Sequence, residues 1–338
     1  MDSFFSVYTF MVSSLVGKVC SFPIVRSITE ERKPRKDVCI MRKVQIITDT
    51  CSDLTPELME RYGIDYARMN TVFEGKESPA ELSWTPDEVH QFYETIRKGG
   101  RYTTTQVPVE EYDRVFRKYL EQDCDIVYIA CSTKQSGSVN TAKVLAKKLE
   151  AEFEGAKILC MDSNRSAVGE GLLAMEAAKL AAAGKSAGEV YASIESIRNT
   201  ALEFCAVHTL EYLHRAGRVK GSAAFFGNLF GVKPIIIADA EGNQAAYKKV
   251  KGRDASITEI VNLLKEKIRK PEEQTVFLAH ADCSKEEVDA LKARIEKEIP
   301  CKDIYVCYIG PIIGASVGPD AISVFAFGEE VTFVGGEK

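Results

Sequence analysis

No Cys-x-x-Cys pair occurs in this chain, although ten cysteines are spread over its 338 residues. A zinc site needs ligands clustered at short spacing, and none is found. Cys51, Cys124, Cys131, Cys160, Cys205, Cys283, Cys301 and Cys307 are scattered, several of them inside apolar runs. A chain of this length needs no disulfide staples, so they read as buried free thiols in a reducing, cytoplasmic setting. Basic charge is not in excess either: the formal net charge is -5, and no nucleic-acid footprint is expected. Histidine is sparse, with His90, His208, His214 and His280 the only imidazoles that could serve as a general base.

Long apolar runs are missing as well. "FFSVYTFMVSSLV" at residues 4–16 is too short to span a bilayer. A signal peptide wants a basic stretch ahead of such a run, and Asp2 is the only charge there. A bacterial lipidation site wants small residues before its cysteine, whereas Lys18 and Val19 precede Cys20. Residues 1–40, which include the charge run "ERKPRKD", are therefore expected to be a disordered extension or a mistaken upstream start. Met41 then stands as a natural opening for "MRKVQIITDT".

What is present is an ordinary globular composition, 45% hydrophobic and 28% charged, on a chain long enough for two domains or one large one. From Val44 onward, short β-branched or apolar runs alternate with charged helical stretches. "VQIIT" (44–48), "IVYIA" (126–130) and "KILCM" (157–161) read as strands, with a helix over "SVNTAKVLAKKLEAEF" (138–153). "FCAVHT" (204–209), "KPIIIAD" (233–239), "TVFLAHA" (275–281), "DIYVCYIG" (303–310) and "AISVFAF" (321–327) form a second set, with helices at 256–270 and 284–299. This alternation predicts an α/β protein with mostly parallel sheets flanked by helices. An Ala-rich helical region near 166–199 joins the halves, giving domains at 41–200 and 201–338.

Three familiar signatures fail on context. "GKS" at Gly184–Ser186 has Lys179 where a phosphate loop needs its first glycine. "GEGLLA" at 169–174 puts its glycines inside a helical run rather than after a strand. "GASVG" at 314–318 would make Ser316 a nucleophile, but a strand follows where a helix is required, and no histidine lies downstream.

Two hydroxyl-rich stretches remain. "TTTQVPVEEY" (103–112) sets threonines ahead of Pro108, which suits the first turn of a helix. "IVYIACSTKQSGSVNTA" (126–142) runs from a strand through Ser132, Thr133, Ser136 and Ser138 into a helix. Such helix starts either cap themselves or hold an anion, and in a parallel sheet they gather at the carboxyl ends of the strands. No histidine or lysine stands beside them, so holding an anion fits better than cleaving a bond. A third stretch, residues 210–237, sets Phe225, Phe226, Leu229 and Phe230 among Gly227 and Gly231, with Arg218 and Lys220 ahead. It is ordinary core, or room for a long apolar ligand.

In order, "IITDTCSDL" (46–54), "TTQVP" (104–108), "STKQSGSVNTA" (132–142), "LEYLHRAGRVKG" (210–221), "GVKPIII" (231–237) and "IGPIIGASVGP" (309–319) resemble the DegV family of fatty-acid-binding proteins. These are the lipid-carrying partners of bacterial fatty acid kinases, and the resemblance spans Val44 to Gly328. It implies two α/β domains with a ligand cavity between layers. It also implies a long-chain fatty acid such as palmitate as ligand, no other cofactor, no metal and no catalytic residue. The resemblance puts the carboxylate on Thr104 and Ser136, with Ser316 where the family often has a histidine. Serine can donate a hydrogen bond there but cannot carry positive charge. Gln135 stands where the family has leucine. Arg218 matches the arginine of the family's Gly-Gly-Arg stretch, a partner or phosphate contact at the kinase-facing mouth; Arg253 and Lys233 fall on other basic family positions. The implied partners are the fatty acid, a fatty acid kinase subunit, and a transient membrane or acyltransferase contact, in a role of lipid transport. A small-molecule hydrolase or phosphotransferase using Ser316 in the same crevice is the alternative.

Overall fold

The computed structural model describes residues 42–220 and 231–336. The expected extension at 1–40 and the segment carrying Phe225, Phe226, Gly227, Leu229 and Phe230 lie outside the described residues.

The chain begins with strand β1 (Lys43–Asp49), helix α1 (Pro56–Tyr62) and strand β2 (Asp65–Ala67). Three short strands, β3 (Asn70–Phe73), β4 (Lys76–Pro79) and β5 (Tyr102–Thr105), pair antiparallel in a small sheet of order β4-β3-β5. Helix α2 (Pro86–Arg97), opened by a Thr85–Glu88 capping box, connects the last two. Helix α3 (Val109–Leu120), strand β6 (Cys124–Ala130), helix α4 (Ser138–Glu152) and strand β7 (Ile158–Asp162) complete a parallel sheet of order β2-β1-β6-β7.

Two helices, α5 (Ala167–Ala182) and α6 (Ala187–Ile197), lead into the second set. It comprises β8 (Ala201–Ala206), α7 (Glu211–Ala216), β9 (Val219–Lys220), β10 (Val232–Ala238), β11 (Gln244–Lys251) and α8 (Arg253–Lys267). β12 (Thr275–His280), α9 (Lys285–Glu298), β13 (Asp303–Tyr308), α10 (Pro311–Val317) and β14 (Ile322–Phe327) follow. These strands form a seven-stranded sheet of order β13-β12-β14-β8-β10-β11-β9.

The α/β class is as the alternation predicts, and the first sheet is wholly parallel. The second sheet is mixed: β14 runs antiparallel to β12 and β8, and β10 antiparallel to β8 and β11. Apolar runs alone do not specify strand direction, because the central strands β8, β12 and β14 are buried on both faces whichever way they run.

Period-two alternation builds the layers. In β6, Ile126, Tyr128 and Ala130 face the core under α3 and α4, while Val127 and Ile129 face the opposite core. In β8, Leu202, Phe204 and Ala206 face the core under α8 and α9, while Ala201 and Cys205 face the central one. Between the two sheets runs α5, apolar on nearly every face and buried from Ala167 through Met175. It packs against β1 and β6 on one side and β8 and β14 on the other. Gly171 permits that approach: a Cβ there would lie 2.8 Å from both the Ser52 carbonyl oxygen and Leu54 Cδ2. Gly169 and Gly171 are thus packing glycines within a helix, not a nucleotide loop.

Candidate functional site

The threonines do not cap α3. Its N-cap is Pro108, without a side-chain cap bond, and Thr103, Thr104 and Thr105 lie within β5, where Thr104 pairs with Thr71. β-branched residues favour an extended, half-buried surface, and β3 supplies one. Thr104 Oγ1 therefore stays available, with no hydrogen bond to a described residue, while Thr105 Oγ1 donates to Glu77.

The turn after β5 is drawn onto the start of α4. Val107 N–H donates to Ser138 Oγ at 3.3 Å, and Ser138 Oγ lies 2.9 Å from Ser136 Oγ. Ser136 Oγ also accepts from Ser138 N–H at 3.2 Å. Gly137 admits the close approach: a Cβ there would sit 2.7 Å from Gln106 Oε1. Arg218, just past α7, donates Nε–H to the Gln135 carbonyl at 3.0 Å and so ties the second half to this loop. Helix α10 closes the remaining side, its N-cap Gly310 N–H donating to Asp53 Oδ1 at 2.9 Å.

These connections enclose a cavity of about 230 Å³ lined by Thr104, Ser136, Ser316 and Arg218 together. Its apolar wall includes Met69, Leu213, Ile312 and Val317. An adjoining cavity of about 420 Å³ shares Thr104, Arg218 and Ser316 and adds Arg101 and Arg215, which makes the outer side basic. Four residues singled out in the sequence thus converge from β5, the β6–α4 loop, the turn after α7 and α10. Two others do not. Arg253 is ion-paired with Glu287 at 2.7 Å and donates to the Ala206 carbonyl, and Lys233 Nζ lies 3.1 Å from His208 Nε2.

The inner wall carries residues that sequence reasoning missed: Cys51, Cys131, Ser166, Glu203 and Gln244. Cys51 and Cys131 belong to adjacent strand ends held by one carboxylate. Asp49 accepts from their backbone N–H groups at 2.9 and 3.2 Å and from Tyr128 Oη at 2.7 Å. All eight described cysteines are unpaired, six of them buried. Glu203 did leave a signal, as a charged residue inside the apolar strand "ALEFCA". Burial pushes its carboxyl up to about 7, against the opposing pull of Gln244 and Arg165. Burial likewise raises the carboxyls of Asp49, Asp53 and Glu170.

The Glu203 value has a sign that can be tested. Below the ordinary glutamate value both folded and unfolded chains are protonated at this group. As pH rises from there to about 7, the unfolded chain sheds the proton while the folded one keeps it. Stability is therefore lost across that window, by up to roughly 3 kcal/mol from this carboxyl. Denaturant titrations of ligand-free protein should show Glu203→Gln gaining on the parent between pH 5 and pH 8. An unchanged difference between the two proteins would mean that Glu203 is ionised throughout.

A polar-rimmed cavity with an apolar wall thus lies between a parallel and a mixed sheet of an α/β fold. The DegV family model, described as "Uncharacterised protein, DegV family", matches residues 43–329, and the chain belongs to that family. A DegV domain-containing protein of Clostridium perfringens is 31% identical over 291 residues, 86% of this chain and 99% of that protein. Among solved structures, a DegV family protein from Thermus thermophilus described for its fatty acid binding superimposes with a TM-score of 0.74. It is 26% identical, over 85% of this chain and 100% of its own. A DegV lipid-binding protein from Thermotoga maritima gives a TM-score of 0.74 and 26% identity, over 86% of this chain and 100% of its own.

Proposed function

We propose that this protein binds a long-chain fatty acid, holds its carboxylate with Thr104, Ser136 and Ser316, and presents that end to a fatty acid kinase. The carrying observation is the convergence of these three hydroxyls and Arg218 on one cavity that is also lined by Met69, Leu213, Ile312 and Val317. The Thermus and Thermotoga relatives, described as binding fatty acid and lipid, support the ligand class. In this reading the N-terminal domain (41–200) supplies the Thr104 and Ser136 loops, and the C-terminal domain (201–338) supplies Ser316 and Arg218. The protein carries out no bond chemistry and works in the cytoplasm as a lipid carrier. Among the described residues lining the cavity there is no histidine or lysine to activate Ser316, which weighs against the hydrolase or phosphotransferase alternative.

Tail and head divide the work. At about 0.8 kcal/mol per buried methylene, a sixteen-carbon chain gains on the order of 11 kcal/mol before the costs of binding. Hydrogen bonds to the charged head contribute roughly 1.5–3 kcal/mol each and fix the register of the carboxylate. A calorimetric series from eight to eighteen carbons should show affinity rising steeply with length. A flat series would exclude a buried tail.

Arg218 is exposed and held at the rim by Gln135, so its role is outward-facing. Arg218→Ala should leave lipid content intact while slowing phosphoryl transfer by the partner kinase at least tenfold. Protein purified free of lipid from this variant would instead assign Arg218 to the pocket.

A further inference from the structure

We propose that Glu203 is a ligand-binding residue: as a neutral carboxylic acid on the inner wall it donates a hydrogen bond to the bound carboxylate, so the ligand enters together with one proton. This rests on the fatty-acid reading of the cavity and adds to it a second binding group and a proton.

Three observations carry the inference. Strand β8 turns Glu203 away from Leu202 and Phe204, toward the side on which α5 packs, and the residue is only 7% exposed while lining the cavity. Gln244 fixes one of its oxygens: the Gln244 amide donates to Ser166 Oγ at 3.1 Å and to Glu203 Oε2 at 3.4 Å. Among the described residues nothing hydrogen-bonds Glu203 Oε1, which leaves that oxygen for the cavity's occupant.

The surrounding charges do not neutralise an ionised Glu203. Arg165, preceding α5, favours the charged form of Glu203 electrostatically, yet it donates to the carbonyls of Ala201, Asn164 and Asp239 and forms no ion pair with Glu203 among the described residues. Asp53 after β1, Cys131 after β6 and Cys205 on β8 also feel Glu203, and each would be burdened further by a negative charge there. Arg218 lines the same cavity from its exposed side, where the Gln135 and Ala216 carbonyls occupy it.

A fatty acid adds a second carboxylate to this space. Two carboxyl groups in one poorly solvated cavity cannot both ionise cheaply, and the stable arrangement shares a proton between them. Burial raises the Glu203 carboxyl to about 7, so that it exchanges a proton readily near neutral pH. An arriving anion raises it further, so solvent supplies the proton on binding. The resulting O–H···O⁻ bond is of the strong, charge-assisted kind.

The test uses full-length protein and two probes, hexadecanoate and hexadecane-1-sulfonate, the second because its head group does not titrate between pH 6 and 9. Calorimetry at pH 8 in two buffers of different ionisation enthalpy counts the protons taken up. Wild-type protein should take up close to one proton per sulfonate bound, and its affinity should fall about tenfold per pH unit above pH 7. Glu203→Gln should take up none and show a flat profile. Sulfonate binding by wild-type protein with no proton uptake would overturn the inference while leaving the fatty-acid reading intact. Binding of neither probe would overturn both. Because the proton count needs only wild-type protein, it decides the matter even if the variant does not fold.

Discussion

Thr104→Val combined with Ser136→Ala should lower affinity for hexadecanoate by at least about a hundredfold. Each hydroxyl bonded to a charged head contributes roughly 1.5–3 kcal/mol, and in the proposed binding mode the two act on the same carboxylate. Affinity for hexadecanol, whose head is uncharged, should change far less, because the apolar wall of Met69, Leu213, Ile312 and Val317 is untouched. Phosphoryl transfer to the lipid by the proposed kinase should suffer more than lipid retention, since the head would lose its register while the tail stayed buried. The two positions differ in one respect. Thr104 Oγ1 has no described partner to lose, whereas Ser136 also supports the start of α4 through Ser138. The single Thr104→Val variant is therefore the cleaner test. Normal transfer kinetics in the double variant would refute the head-group assignment.

The largest stability effect is expected at Arg165→Met. Arg165 is wholly buried and donates to the Ala201 carbonyl at 2.7 Å, the Asn164 carbonyl at 2.7 Å and the Asp239 carbonyl at 3.1 Å. It thereby joins the segment before α5 to β8 and to the loop after β10. Methionine fills similar volume but takes this donor from the Ala201 and Asn164 carbonyls, each at a penalty of about 1–3 kcal/mol, while the Asp239 carbonyl keeps its bond from Gly242 N–H at 3.1 Å. Part of this is offset, because burying a guanidinium is itself unfavourable; desolvation pulls Arg165 down to about 10. A net loss of about 3 kcal/mol is expected, read as a fall in Tm of about 4 °C for a chain of this length. A loss below about 1 kcal/mol would show that solvent reaches these carbonyls.

The strands were legible because their apolar runs are short and bounded by polar loops, and observed ends fall within a few residues of those expected. β12, for example, spans Thr275–His280 against an expected 275–281. Strand direction in the second sheet was not legible, since β14 and β8 pair across more than a hundred residues of sequence. The small β4-β3-β5 sheet escaped for another reason: its four-residue strands carry charge and hydroxyls rather than an apolar run. Thr104 and Ser136 were identifiable as a pair only by the order of motifs, and local rules set the threonines at a helix start where the structure has a strand. Glu203 was cut off from the expected strand at 204–209 by one residue. Arg253 could not be separated from Arg218 in sequence, because its partner Glu287 lies on another helix.

The most direct measurement is organic extraction of the purified protein followed by mass spectrometry. A long-chain fatty acid at close to one per chain is the predicted result, exchangeable with added labelled hexadecanoate. Extracts without lipid, together with no uptake of the labelled acid, would contradict the account.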